Sequence, residues 1–238
     1  MALGYPSQKQ LRQDGVGYLE DLKRQADDVL AQQRQDTGAL QRNAMLTDAA
    51  CQAASRYLFA LARQLNVLQP VSKTTWWLDR KTSFSQLRFT EFRADARMKR
   101  LRDVEVFDHI VLNFAAKTGS RITIAKDFPP EIEKLESRLR QCGAHYDSEV
   151  IRDSETGKFV EKRFDLVADF QSSVRVVPDH DSARVTFHVA NVDGFETVSA
   201  VFPAFEVGTA RLDELARWIT GEQHAFLRDG EHVRRVPA

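Results

Sequence analysis

The sequence predicts an α+β protein in which an N-terminal antiparallel helical hairpin is joined to a mainly antiparallel β body with packing helices. Apolar residues recur at steps of three and four up to residue 68, and mainly at steps of two beyond residue 71. Two shorter helical patterns follow runs of strand-like sequence, as in proteins whose helices are segregated from antiparallel strands. We therefore predict a coiled-coil-like helical arm over residues 1–70, an α+β body over 71–222 and a polar tail over 223–238.

The most regular pattern of the chain lies in the second half of the arm. An earlier helical pattern covers residues 7–35, and Gln-Asp-Thr-Gly at 35–38 offers a break, because glycine accepts backbone angles that other residues resist. Two helices joined there would bury both apolar faces against each other. The second helix would do so through nine residues spaced by four and three, which we call the seam: Leu40, Ala44, Thr47, Cys51, Ala54, Leu58, Leu61, Leu65 and Leu68.

Two other arrangements fit the same arm. A break at Thr47-Asp48, which also has the composition of a helix cap, would give three helices in place of two. A single long helix that dimerises would bury the seam against a second chain. In every case the arm ends near Pro70, because proline disfavours helix in the residue before it.

The body reads as strands interrupted by two helices. Residues 84–96, 104–116 and 121–126 predict three neighbouring antiparallel strands, with a hairpin turn at 117–120. A helix is expected to start at the prolines after Phe128 and to stop at Gly143, and another lies between Thr209 and Gly221. Further strands are predicted near residues 145–152, 160–170, 174–177, 184–191 and 195–202. Each half of the body is a run of strands followed by one helix, which leaves an internal duplication open.

Composition limits the classes of protein that are plausible. The 238 residues are 42% hydrophobic and 29% charged, which is typical of a globular protein. The formal net charge of zero divides into +1 over residues 1–70, +6 over 71–126 and −7 over 127–238. Cys51 and Cys142 are too few for a disulfide framework, which favours a reducing compartment. The chain begins without a leader pattern and has no apolar run of about 18 residues, so we expect a cytoplasmic protein that does not enter a membrane.

The best candidate for a binding stretch is residues 76–102. Its arginines and lysines alternate with aromatic residues, the mixture by which proteins hold phosphates and stack exposed bases. A second interpretation is that the aromatic residues face the core while the cations face water. The residues predicted to bind nucleic acid or another polyanion are Trp76, Trp77, Arg80, Lys81, Arg88, Arg93, Arg97, Lys99, Arg100 and Arg102, with Phe84, Phe89 and Phe92 between them.

Acidic residues and histidines give weaker signals. Asp179-His180-Asp181 resembles a metal cluster, but it stands between two strands where aspartates commonly form turns. Asp165 and Asp169 alternate with apolar residues and are expected to face solvent. No phosphate loop, dinucleotide fingerprint, nucleophile elbow or zinc-protease motif is present, so we predict no catalytic residue, no metal ligand and no cofactor.

These observations favour a non-catalytic adaptor or scaffold that associates with itself or with a protein partner through the helical arm. The alternative is a nucleic-acid-binding protein that uses residues 76–102. A third interpretation is a metal-dependent hydrolase or nuclease that uses Asp165, Asp169 or the cluster at 179–181.

Overall fold

The computed structural model describes residues 18–237 and confirms the α+β class. The chain starts with one long helix, α1 (Tyr18–Leu68), and continues into a body of strands with two further α-helices. In chain order the other elements are β1 (Trp76–Trp77), β2 (Ser83–Phe84), β3 (Arg88–Leu101), β4 (Val104–Lys126), α2 (Pro129–Gln141), β5 (Tyr146–Arg152), β6 (Phe159–Asp179), β7 (Arg184–Ala190), β8 (Glu196–Pro203), a 3-10 turn (Ala204–Glu206), α3 (Thr209–Ile219) and β9 (Glu231–Pro237).

The turn expected at residues 35–38 is not present, because α1 is one continuous helix of 51 residues. A glycine inside a helix costs only about 1 kcal/mol relative to alanine, so Gly38 alone does not end it. The break considered at Thr47-Asp48 is also absent: the Thr47 hydroxyl donates a hydrogen bond to the Asn43 carbonyl, one turn earlier in the same helix. The single long helix is therefore the arrangement observed, while its dimerisation stays a prediction.

Two compact units meet within α1, between Arg42 and Asn43. The first unit is described from residue 18 and consists of helix alone. The second unit contains the rest of α1, all the described strands and the two shorter helices. The helix α1 ends at Leu68, and its residues 50–65 belong to the same hydrophobic core as the sheet.

The main sheet has seven antiparallel strands in the order β3-β4-β6-β7-β8-β9, with β5 pairing against β6. β4 runs through the turn predicted at 117–120, where its register against β6 shifts between Lys117 and Arg121. Gly119 lies in this shift with a φ of +69°, so the glycine marks an irregularity inside a strand and not a hairpin. The residues predicted as a polar tail include β9, which pairs with β8.

One face of the sheet forms the core of the second unit. Alternate residues point into it, and the second part of α1, together with α2 and α3, contributes to the same core. On β6 the apolar residues of this core are Phe164, Leu166, Ala168, Phe170, Val174 and Val176. Both shorter helices lie where the sequence predicts them. The helix α2 ends before Gly143, whose φ of +65° and close approach to the Gln171 side chain require a glycine.

Candidate functional site

The seam residues of α1 are divided between buried and exposed positions. Thr47, Cys51, Ala54 and Leu58 are fully buried and Leu65 nearly so. Leu40, Ala44 and Leu61 are partly buried, whereas Leu68 is exposed. The buried seam residues from Cys51 onward share one hydrophobic cluster with the sheet. The middle of the seam therefore packs on the sheet of its own chain and is not available to a second helix.

Polar side chains fix this part of α1 at both ends. At its start the Asn43 amide donates a hydrogen bond of 2.6 Å to the carbonyl of Asp181, in the turn between β6 and β7. Near its end the Asn66 side chain donates to the carbonyl of Phe92 and accepts from the amide of Phe92, both at 2.8 Å. Two hydrogen bonds to one buried residue hold the helix end on β3, where the ladder with β4 shifts register.

A different surface is exposed on the first unit. Leu19, Leu22, Ala26, Val29 and Leu30 follow one another at spacings that place them on one side of the helix, and we call these five residues the arm face. Leu22, Val29 and Leu30 are 42%, 56% and 49% exposed, and Leu19 is more so. An apolar stripe exposed to water in this way commonly marks a contact surface.

Among the described residues of the first unit, few contacts stabilise the helix. Its polar contacts are local: Arg24 pairs with Asp21 at 2.7 Å, and Gln32 donates to Asp36 at 2.9 Å. Exposed pairs of this kind contribute at most about 1 kcal/mol each. Residues 18–42 carry five acidic and four basic side chains, so their charge is nearly balanced. Most of the stability of a helix in a protein comes from packing of its apolar face, so burial of the arm face would stabilise this part of α1.

The basic-aromatic stretch at 76–102 does not form one surface. Four of its five aromatic side chains are interior: Trp76 is fully buried, and Phe84, Phe89 and Phe92 are at most 7% exposed. Only Trp77 is open to solvent, with 58% of its surface exposed. The four buried rings cannot stack on a base. The stacking part of the nucleic-acid hypothesis therefore depends on Trp77 alone.

The cations of the same stretch fall into three groups. The cations of the first group form ion pairs with aspartates: Lys99 with Asp108 at 3.4 Å, Arg100 with Asp103 at 3.3 Å, and Arg102 with Asp181 at 2.5 Å.

The second group is exposed on β3 and has no ion pair or side-chain hydrogen bond within residues 18–237. Its members are Arg88, Arg93 and Arg97. They lie on the sheet face opposite the core and pair in register with residues of β4. The third group, Arg80 and Lys81, lies in the turn between β1 and β2 and lines a cleft beside α2.

Asp179 forms the predicted turn. Its Oδ1 accepts hydrogen bonds from the amides of Asp181 and Ser182, and its Oδ2 accepts one from the Ser182 hydroxyl. The bond from the Ser182 hydroxyl is the main reason why the pKa of Asp179 lies below its usual value.

Asp165 accepts a hydrogen bond from Thr123, and Asp169 pairs in register with Lys117. Within the described part of the chain no three histidine, cysteine or acidic residues come together as metal ligands.

Both cysteines are buried thiols. Burial is the main cause that raises the pKa of Cys51 to about 12, and Asp48 adds to it. Burial likewise raises the pKa of Cys142 to about 11, against smaller opposing effects of nearby amides and Arg138. Thiols of such high pKa are protonated at neutral pH and therefore react slowly. The two side chains act as small core residues.

Comparison of the chain with protein-family models, with curated proteins and with solved structures finds no match. Its function must be argued from its own residues. Among residues 18–237 no helix has the length and apolar character needed to cross a membrane.

Two sets of residues were missed from the sequence. The apolar periodicity of residues 7–35 does not include Leu19 and Leu30, which the structure places on the arm face. Lys126 and Lys134 join Arg80 and Lys81 around one cleft, although about 45 residues separate the two pairs. The sequence signal that could have identified the α2 wall of the cleft is the spacing of residues 131, 134, 135 and 138, which places them on one side of that helix.

Proposed function

We propose that this protein is a non-catalytic assembly protein and that its arm face binds the arm face of a second copy. The observation that supports this proposal is the apolar stripe exposed on a helix whose polar contacts, as far as residues 18–42 are described, are local. The seam itself is a weaker candidate than the sequence suggested, because its central residues are already buried in the core of the second unit.

A second copy is the occupant that the arm suits best. The arm face lies within residues 18–30, which cover about 20 Å of helix at 1.5 Å per residue. Two such helices can bury equivalent stripes against each other through the knobs-into-holes packing of coiled coils. The nearly balanced charge of residues 18–42 means that like copies do not strongly repel. Pairing would also stabilise this part of α1 by packing an apolar face that is exposed.

The place of this assembly in the cell is part of the proposal. The two buried thiols need no oxidising environment, and their residues serve as packing elements. We therefore place the protein in the cytoplasm.

The experiment is to remove the arm face and measure the molar mass. We expect wild-type protein to be a dimer by sedimentation equilibrium and the Leu22→Ser/Val29→Ser/Leu30→Ser variant to be a monomer. The control is Met45→Ser/Val67→Ser, which removes two apolar side chains that are 73% and 82% exposed on the same helix. We expect this control to stay dimeric.

Two results would contradict the proposal. One is a wild-type protein that is monomeric at every concentration, in which case residues 1–17 become the better candidate for covering the arm face. The other is a triple variant that is as dimeric as wild type. In the second case the association uses another surface.

Nucleic-acid binding is a second candidate, supported by Arg88, Arg93 and Arg97 alone. These three cations are exposed on one side of β3 and form no close ion pair with the described residues, and nucleic-acid phosphates attract such cations. The test is a salt-dependent mobility shift with single-stranded DNA and RNA, repeated with all three changed to Glu. Absence of binding by wild type at low salt would dispose of this candidate.

A further inference from the structure

A cleft of about 630 Å³ lies between the β1–β2 turn and α2. The turn contributes residues 77–81, the end of β4 contributes Lys126, and α2 contributes Glu131, Lys134, Leu135 and Arg138. Clefts of roughly 300–1,000 Å³ are the usual size of small-molecule sites. Three separate parts of the chain thus form one concave surface.

Hydrogen bonds hold the turn against α2. The Arg138 guanidinium donates to the carbonyl of Leu78 and, at 3.5 Å, to that of Trp77. Asp79 Oδ1 accepts from the amides of Lys81 and Thr82, both at 2.7 Å, which fixes the turn itself. The wall that carries Trp77, Arg80 and Lys81 is therefore positioned before any ligand binds.

Lys126 forms an ion pair with both carboxylates of the cleft. Lys126 Nζ lies 2.9 Å from Asp79 Oδ2 and 3.4 Å from Glu131 Oε2, and the Lys126 side chain is only 12% exposed. Burial opposes the charged form of Asp79, but the hydrogen bonds from Lys126 and the turn amides outweigh it and keep its pKa below the usual value. The pKa of Lys126 is raised in turn, because its two carboxylate partners outweigh its burial.

Three cations of the cleft are left without a carboxylate. Arg80, Lys81 and Lys134 are exposed, and their side chains form no ion pair or hydrogen bond with any residue of the described range 18–237. Together they give this surface an excess of positive charge that a ligand with several negative charges would neutralise. Phosphate groups suit arginine and lysine because they accept several charge-assisted hydrogen bonds at once.

An aromatic ring stands beside these cations. Trp77 lines the same cleft and is 58% exposed, whereas its neighbour Trp76 is buried. An exposed indole is unfavourable in water but stacks well on a planar heterocycle. The buried side chains of Leu78 and Leu135 supply an apolar floor.

We propose that this cleft binds a nucleoside polyphosphate, with the phosphates on Arg80, Lys81 and Lys134 and the base against Trp77. The site does not depend on the arm face, so either proposal can fail without the other.

The test is isothermal titration calorimetry of the full chain with ATP, inorganic tripolyphosphate and adenosine. We expect ATP to bind most tightly, tripolyphosphate more weakly and adenosine weakest, because only ATP uses both the cations and the ring. Binding of ATP should weaken as salt is raised, since the three cations are exposed. No heat of ATP binding at millimolar concentration and low salt would overturn the proposal, and equal affinities for ATP and tripolyphosphate would overturn the role of Trp77.

Variants locate the site. Arg80→Ala/Lys81→Ala/Lys134→Ala should weaken ATP binding about tenfold, because an exposed ion pair contributes little by itself but three are lost together. The matched control Arg88→Ala/Arg93→Ala/Arg97→Ala also removes three exposed cations, but from β3, and should leave the affinity within about twofold.

Trp77→Ala should weaken ATP binding and leave tripolyphosphate unchanged. Circular dichroism should confirm that every variant is folded. An equal loss in both triple variants would mean that charge alone attracts ATP and would overturn the site. Single-stranded DNA that binds more tightly than ATP and depends on the cleft cations would overturn the class of ligand.

Discussion

The two parts of α1 have the same secondary structure and similar apolar spacing but opposite surroundings. In residues 43–68 the middle of the seam is buried, with Leu58 fully inaccessible. In residues 18–42 the arm face is open, with Leu22 and Val29 about half exposed. A helical stripe therefore shows that a partner is needed without telling whether the partner is a sheet, a second helix or another chain.

The difference follows from the residues between the apolar positions. The second part of α1 has Asn43 and Asn66, whose side chains bond to backbone groups of the turn after β6 and of β3. Small seam residues, Cys51 and Ala54, allow close packing in the same cluster as the sheet. Among the described residues, the side-chain polar contacts of the first part reach only three or four positions along the helix, such as Arg24 with Asp21.

The largest expected change in the free energy of unfolding comes from truncating a leucine to alanine in each part of α1. Leu58→Ala should lower the free energy of unfolding by about 3 kcal/mol, because it leaves a cavity in a packed core. Leu22→Ala should change it by less than about 0.5 kcal/mol when measured at protein concentrations low enough to dissociate the arms. Urea unfolding followed by tryptophan fluorescence measures both. Equal costs would remove the distinction between the two parts.

A smaller effect is expected where the buried part is anchored. Asn66→Ala should cost about 1–2 kcal/mol, because it removes two hydrogen bonds from the backbone of the buried Phe92. Gln64→Ala is the matched control: it is an exposed residue on the same turn and should cost less than about 0.5 kcal/mol. The same urea experiment compares them. If Asn66→Ala is as mild as Gln64→Ala, these bonds do not hold the helix on β3.

The smallest effect concerns the continuity of the helix. Gly38→Ala should raise the helicity of the arm and stabilise it by about 1 kcal/mol, because a Cβ there meets only the flexible end of Arg42 at 3.5 Å. Gly143→Ala should do the reverse for the second unit, since its added Cβ would lie 2.7 Å from Gln171 Cγ at a positive φ. Circular dichroism during thermal unfolding reports both. A loss of helicity in Gly38→Ala would contradict a continuous helix and favour the predicted turn at residues 35–38.

Sequence periodicity was sufficient for most of the body. The prolines after Phe128 and the glycine at 143 bound α2 as predicted, and alternation identified β7 and β8. It failed where one local signal was given too much weight. The sequence predicts breaks at Gly38 and Gly119, whereas Gly38 lies within a helix and Gly119 within a strand. The polar sequence of β9 gave no strand signal, because its side chains are mostly exposed at a sheet edge.

The candidate sites were harder to predict, because they depend on residues that are distant in the chain. Trp77 and Arg80 belong to the predicted basic-aromatic stretch, but Lys126 reaches them only through the end of β4 and Lys134 only through α2. The burial of Trp76 beside the exposed Trp77 follows the alternation of a strand, yet the sequence does not say which of the two faces the core.

Hydrogen exchange of the arm amides at several protein concentrations tests the central claim most directly. We expect residues 43–68 to exchange slowly at a rate independent of concentration, because their own chain covers them. We expect residues 18–42 to become more protected as the concentration rises about a hundredfold, because a second copy covers the arm face. Exchange in residues 18–42 that is equally fast at every concentration would contradict the account.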